Sequence, residues 1–253
     1  LIIGKKGAVV ALDPNNGAVL AMVSSPHYDV RKLSGRIDRD YWVAINSDTT
    51  TPLYNRAISS LQPPGSTFKP VMGLTGLELG LVTPETKIYN SGAYVRGRAY
   101  RDLAPIGEYD LKKAITFSSN TYFFDLMNRV ASQGKLNEWH KLITDLGMGI
   151  RNNIDLPSES RGIVPDSSKL DQIFGKRKWS LGDIINLGIG QGLISASPLQ
   201  VAVMTSVFAN DGYHVQPHLV QAIRDNEGNE TELMAEKKKI EWIEPEHLEV
   251  IKA

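Results

Sequence analysis

A serine and a lysine three residues apart, Ser66 and Lys69, are the residues of this chain best suited to chemistry. The run before them, Leu61-Gln62-Pro63-Pro64-Gly65, cannot be helical, and the run after them, Val71 to Leu79, can. Ser66 therefore belongs at or beside the start of a buried helix. Positions i and i+3 share a helix face, so Lys69 can turn its amine toward the Ser66 hydroxyl. A hydroxyl becomes an effective nucleophile when a base takes its proton. A lysine can be that base when burial lowers its pKa. First-turn backbone N–H groups can meet a developing oxyanion. Pro70 fits the same placement, because a first-turn N–H has no intrahelical partner to lose. Together these residues predict acyl transfer through a serine ester.

A second constellation, Ser118-Ser119-Asn120, lies between two helical stretches. The Ser118 hydroxyl can relay a proton between the lysine and a leaving group. The Asn120 amide can donate to a substrate carbonyl. Asn120 alone also reads as the cap of a helix opening at Thr121; beside the Ser66–Lys69 pair the cleft reading takes precedence.

The elements that must position these groups follow from pattern and punctuation. Ala8–Leu12 and Ala18–Val23 alternate like strands around an Asp13–Gly17 turn, predicting a hairpin over Gly7–Ser25 that needs further sheet beside it. Residues 26–60 read as mixed and loop-rich. A helix is expected over 69–80, and irregular structure with short extended pieces over 86–108. Further helices are expected over Asp110–Phe117 (capped by Asp110), Thr121–Ala131 and Leu136–Leu146, the last ended by Gly147. Residues 150–180 read as a Gly/Pro-rich loop excursion. Ser197-Pro198 opens a helix running to Asn210. His214–Arg224 reads as a strand, Asp225–Asn229 as a turn, and Pro245–Lys252 as a last helix. The pattern suggests a sheet with an inserted helical region.

Composition bounds the rest. The 253 residues are 42% hydrophobic and 22% charged, ordinary for a folded globular chain. A formal net charge of zero gives no electrostatic case for nucleic acid, and Lys237-Lys238-Lys239 reads as a solvated turn. The absence of cysteine excludes disulfides and thiolate metal sites. His214 and His218 are poorly placed as a metal pair, with Pro217 between them. Asp13, Asp102 and Asp155 read as turn or cap residues. No cofactor or metal is expected. No apolar stretch approaches the ~20 residues that span a bilayer. Leu1 is not a start methionine, so the chain is expected to be a fragment.

The S-x-x-K and S-x-N elements resemble the penicillin-recognising acyl-serine enzymes, whose third element is K-T-G. Leu12-Asp13-Pro14 with Gly17–Met22, Pro63–Pro70, and Gly188-Ile189-Gly190-Gln191-Gly192 with Ser197–Gln200 are similar to class B penicillin-binding proteins, and within them to the elongation-type D,D-transpeptidases. The resemblance spans roughly Gly7 to Gly212. It implies an α/β (α+β) acyl-serine transferase fold: an antiparallel sheet, flanking helices and an inserted helical region. It implies that Ser66 attacks the D-Ala-D-Ala carbonyl of a peptidoglycan stem peptide, with Lys69 as base, Ser118 as proton shuttle and Asn120 holding the substrate amide. A neighbouring stem-peptide amine would take the acyl group, and β-lactam antibiotics would acylate Ser66. Ser119, Gly188, Gly190, Gln191 and Gly192 would bind substrate or support the site from behind. Implied partners are a RodA-type glycosyltransferase and an MreC-type scaffold. The implied location is the inner membrane, with a pedestal and single anchor upstream and this domain, residues 1–253, facing the periplasm or cell exterior.

One family element is missing. No Lys-Thr-Gly or Lys-Ser-Gly occurs, and Lys32-Leu33-Ser34-Gly35 has an extra residue and the wrong place in the order. The expectation is that this element and three sheet strands follow the last helix, and that the fragment alone is a poor catalyst. The alternatives are a serine β-lactamase or D,D-carboxypeptidase, a β-lactam sensor, and an inactive scaffold.

Overall fold

Strand alternation builds the expected hairpin. The computed structural model describes residues 4–253. Strand β1 (Gly7–Leu12) pairs antiparallel with β2 (Val19–Ser25), from Gly7 opposite Ser25 to Leu12 opposite Val19, with a bulge at Ala11/Leu12. Ala8, Val10 and Leu12 share one face. That face packs on a small core of Ala57, Ile58, Ile154, Leu199 and Val203.

The stretch read as loop-rich contains two helices, α1 (Arg39–Ser47) and α2 (Arg56–Ser59). Both begin at legible caps: Asp38 accepts from the N–H groups of Asp40 and Tyr41, and Asn55 from that of Ala57. Helix α3 (Lys69–Glu78) follows a 3-10 turn over Gly65–Phe68. Its Val71, Met72 and Leu74 are fully buried. Glycines at 73 and 76 admit Leu111 and Leu126 close to its backbone.

Four short strands fill the irregular region. β3 (Ile88–Asn90) pairs with β6 (Gly107–Tyr109), and β4 (Ala93–Arg96) with β5 (Arg98–Arg101). Three helices follow close to their expected bounds: α4 (Leu111–Thr116), α5 (Asn120–Ser132) and α6 (Leu136–Asp145). Asp110 caps α4 by accepting from Lys113 N–H at 2.8 Å. The excursion at 150–180 is not all loop, since α7 (Ser167–Phe174) forms there under an Asp166 cap. A short α8 (Leu181–Ile184) leads into a 3-10 segment at Ile185–Ile189. Helix α9 (Pro198–Ala209) opens with a Ser197/Gln200 capping box.

Two expectations near the end are corrected. His214–Arg224 is not one strand: β7 (Tyr213–Val215) and β8 (Ala222–Arg224) are separate, because Pro217 cannot donate to a ladder. Lys237-Lys238-Lys239 is not a turn. β8 pairs with β9 (Glu230–Glu232), and the three lysines form β10 (Lys237–Lys239) opposite Val215, His214 and Tyr213. Lys237 and Lys239 lie over the Tyr213 ring at 4.7 and 4.8 Å. Cation–π contact and their long stems stabilise a lysine strand that composition marks as solvent. The last helix, α10 (Pro245–Lys252), packs on α3.

The fold is mixed α/β; each pair of named strands among the described residues is antiparallel and two-stranded, and a single parallel bridge joins Ala18 to His218. The main core joins α3, α5 and α6 through Phe68, Met72, Phe123 and Trp139, all fully buried.

Candidate active site

The Ser66–Lys69 segment is pinned by the residue between its functional groups. Phe68 is fully buried and meets the Trp139 ring edge-on at 6.2 Å. Truncating such an aromatic costs about 3–5 kcal/mol, so the turn is held firmly in place. Ser66 lies in the 3-10 turn rather than in α3, and Lys69 is the first residue of the α-helix. Ser66 is exposed to a cleft of about 520 Å³, whose lining includes Ser118, Asn120, Phe117 and Gln191.

Lys69 is 1% exposed. Its Nζ donates to Ser118 O (2.6 Å), Ser118 Oγ (2.9 Å) and Asn120 Oδ1 (2.8 Å). Three donors are all that an ammonium has. The amine therefore does not meet Ser66 directly, as i,i+3 spacing suggests. It reaches Ser66 through Ser118, whose Oγ donates to Ser66 Oγ at 3.1 Å. Burial pushes the Lys69 pKa down to about 8, against the opposing charge of Asp102.

Ser118 adopts φ +54°, a left-handed conformation that costs a serine on the order of 1 kcal/mol. This turn lets both its carbonyl and its hydroxyl face Lys69 Nζ. Asn120 is not the helix cap. Ser119 caps α5, leaving the Asn120 side chain for Lys69 and, through Nδ2, for Arg101 O at 3.3 Å.

The buried residue that holds this segment was legible only as a turn aspartate. Asp102 ends the β4–β5 hairpin and is 6% exposed. Its carboxylate accepts from Thr121 N–H (2.7 Å), Ser119 Oγ (2.8 Å) and Ala104 N–H (3.0 Å). Burial pushes the carboxyl pKa up, but the N–H groups of Thr121, Ala104 and Asn120 and the Ser119 hydroxyl outweigh it and hold it below the usual value. No sequence signal joins Asp102 to Ser119; only the bond with Ala104 is a local turn.

The glycine loop lies behind the nucleophile. Gly190 O accepts from Gly65 N–H at 2.8 Å. Gly190 has φ +67°, and a Cβ there would fall 2.3 Å from Gly65 O. A Cβ at Gly188 would fall 2.3 Å from Phe123 O. Both positions need glycine for close approach. Gln191 lines the cleft itself, and Gly192 ends the loop at φ +79°. His214 Nε2 meets Asn152 Oδ1 at 2.9 Å, away from this site.

The fold and this array of serines around a buried lysine define a class. The chain belongs to the penicillin binding protein transpeptidase domain family, whose profile matches residues 7–253. Within that family it is a transpeptidase domain of the PBP2/MrdA type. It is 38% identical over 228 residues to the peptidoglycan D,D-transpeptidase MrdA of Haemophilus influenzae, covering 88% of this chain and 34% of the relative. It resembles Pseudomonas aeruginosa PBP2 in complex with WCK 5153, at TM-score 0.82 and 31% identity over 99% of this chain and 56% of that one. It resembles equally PBP2 of Helicobacter pylori in complex with MreC, at TM-score 0.82 and 29% identity over 99% of this chain and 44% of that one. The chain thus spans about a third of the length of the curated relatives it matches.

Proposed function

We propose that the chain is the acyl-transfer domain of a peptidoglycan D,D-transpeptidase. The observation that carries this is the continuous path from Lys69 Nζ to Ser118 Oγ to Ser66 Oγ, at 2.9 and 3.1 Å. Two of the three acceptors around Lys69, the Ser118 carbonyl and the Asn120 amide oxygen, can only accept. The third, the Ser118 hydroxyl, can reverse its bond. A neutral Lys69 therefore has one route by which to take a proton, from Ser66 through Ser118. With a pKa of about 8, roughly one lysine in ten is neutral at pH 7.

Ser66 Oγ attacks the penultimate D-alanine carbonyl of a stem peptide. Its proton passes by way of Ser118 to Lys69, an ester forms, and the C–N bond breaks. The same path returns the proton to the leaving D-alanine amine. An acceptor stem-peptide amine then attacks the ester and releases Ser66. The Ser66 N–H has no acceptor within its own turn and serves as one oxyanion donor. Asn120 steadies Lys69 and presents its amide toward the substrate.

The further strands of the family's sheet, with the Lys-Thr-Gly element on the strand at its edge, would seat over the groove between β1 and α9. That groove is about 1010 Å³ and runs past Pro64 and Thr67, the neighbours of Ser66. Among the described residues β1 pairs only with β2, so its other edge is open to such a strand. The activity is proposed for the intact protein. We place it on the outer face of the inner membrane, held by an anchor outside this chain; no helix among the described residues is long and apolar enough to cross a bilayer. An MreC-type scaffold, as H. pylori PBP2 has, and a RodA-type glycosyltransferase are the proposed partners. β-Lactams acylate Ser66 as mimics of the peptide end.

Partition of the acyl group tests the assignment. Incubation of the intact protein with a D-Ala-D-Ala thioester analogue and increasing D-amino acid should divert most product from hydrolysis to aminolysis. Product that stays hydrolytic at every amine concentration would identify a carboxypeptidase or β-lactamase instead.

A further inference from the structure

One cation faces the cleft without a partner. Three arginines crowd the β4–β5 hairpin, Arg96, Arg98 and Arg101. The first two are occupied: Arg96 Nε donates to Tyr94 Oη at 3.5 Å, and Arg98 lies over the Tyr100 ring at 4.6 Å. Arg101 is exposed, and among the described residues its guanidinium has neither an ion pair nor a hydrogen bond. It is also the one formally charged residue lining the 520 Å³ cleft that exposes Ser66.

Tyr100 and Asp102 on either side are buried, whereas Arg101 is exposed where it lines the cleft. Its carbonyl accepts from Asn120 Nδ2, which fixes its backbone beside the amide that meets the substrate. The walls near it, Leu103, Phe117 and Phe124, are apolar. They supply no competing charge. An arginine so placed presents a fork of donors matched to a carboxylate.

We infer that Arg101 is a specificity-determining residue that binds a second carboxylate of the acyl donor, one carried on the acyl side of the scissile bond. This rests on the acyl-serine reading above and names the substrate class of that same site: a peptide with an acidic group near its reacting end. Donors lacking that group lose the contact, whereas the reacting carbonyl at Ser66 is unaffected by it.

Benzylpenicillin and carbenicillin form a matched pair, differing by one carboxylate on the acyl side chain. The second-order rate constant of acylation is measured for both on the intact protein and on its Arg101→Gln, Arg101→Glu and Arg101→Lys variants. The carbenicillin-to-benzylpenicillin ratio within each variant cancels any general loss at Ser66. The ratio should fall about fivefold for Gln and further for Glu, with Lys retaining part of it. The native ratio should decline as salt rises, and the Gln ratio should not. Equal ratios across the four proteins overturn the inference while leaving the acyl-serine reading intact. No adduct from either penicillin on the unsubstituted protein overturns both.

Discussion

Replacing Lys69 with methionine should slow acylation of Ser66 by penicillin about a thousandfold, the range expected for loss of a positioned general base. The native rate constant should rise about tenfold per pH unit and level off above pH 8, where burial has placed the lysine. The variant's profile should be low and flat. Lys69→Arg should be no better: it restores a cation but cannot release a proton. Stopped-flow acylation from pH 6 to 10 reads all three. The same shift predicts a stability trend. The folded pKa lies below the ordinary 10.5, so the unfolded chain binds more protons between pH 8 and 10.5. Native stability should therefore gain up to about 3 kcal/mol as pH rises through that window, before other groups intervene. Holding an ammonium in a nearly closed site weakens the fold and makes the base available.

Asp102→Ala should lower stability by about 3–5 kcal/mol, because it strips acceptors from three backbone N–H groups and the Ser119 hydroxyl. For a chain of this size that is a melting-temperature loss of roughly 10 °C. Acylation should fall about a hundredfold, since Ser118 and Asn120 would no longer be held in register with Lys69. The milder Asp102→Asn separates positioning from folding. Asp102 raises the Lys69 pKa by its charge, so the neutral variant should move the midpoint of the pH–rate profile below 8. A loss of rate with an unmoved midpoint would reduce Asp102 to a structural part. The carboxyl's own contribution has the opposite pH sense to that of Lys69. Its folded pKa lies below the ordinary 3.8, so the stability it adds is present above that value and is lost as pH falls through the folded pKa.

What the chain reveals before folding depends on the distance its signals act over. The helix behind Ser66 is legible because Pro63-Pro64-Gly65 and Pro70 punctuate it locally, and the Ser197/Gln200 capping box opens α9 for the same reason. The caps Asp38 and Asn55 are equally local, yet they open weak elements: α1 buries only Ile45, and α2 is a single turn of four residues. The pairing of Ser66, Lys69 and Ser118 as one group follows from residue types and from family resemblance. The route between them does not. It depends on the positive φ of Ser118 and on a contact 49 residues apart in sequence. Asp102 was beyond reach for the same reason, acting on Ser119 across 17 residues. Lys237–Lys239 misled because composition reports solvent exposure, whereas a strand with polar side chains needs only a partner ladder and the Tyr213 ring.

Two serines compete for the role of nucleophile on geometry alone, since Lys69 Nζ touches Ser118 Oγ and not Ser66 Oγ. The most direct measurement is peptide mapping by mass spectrometry after a penicillin has reacted with the intact protein at pH 8. The account predicts a single stable adduct on the peptide carrying Ser66, with Ser118 unmodified. An adduct on Ser118, or none on a folded protein, would contradict it.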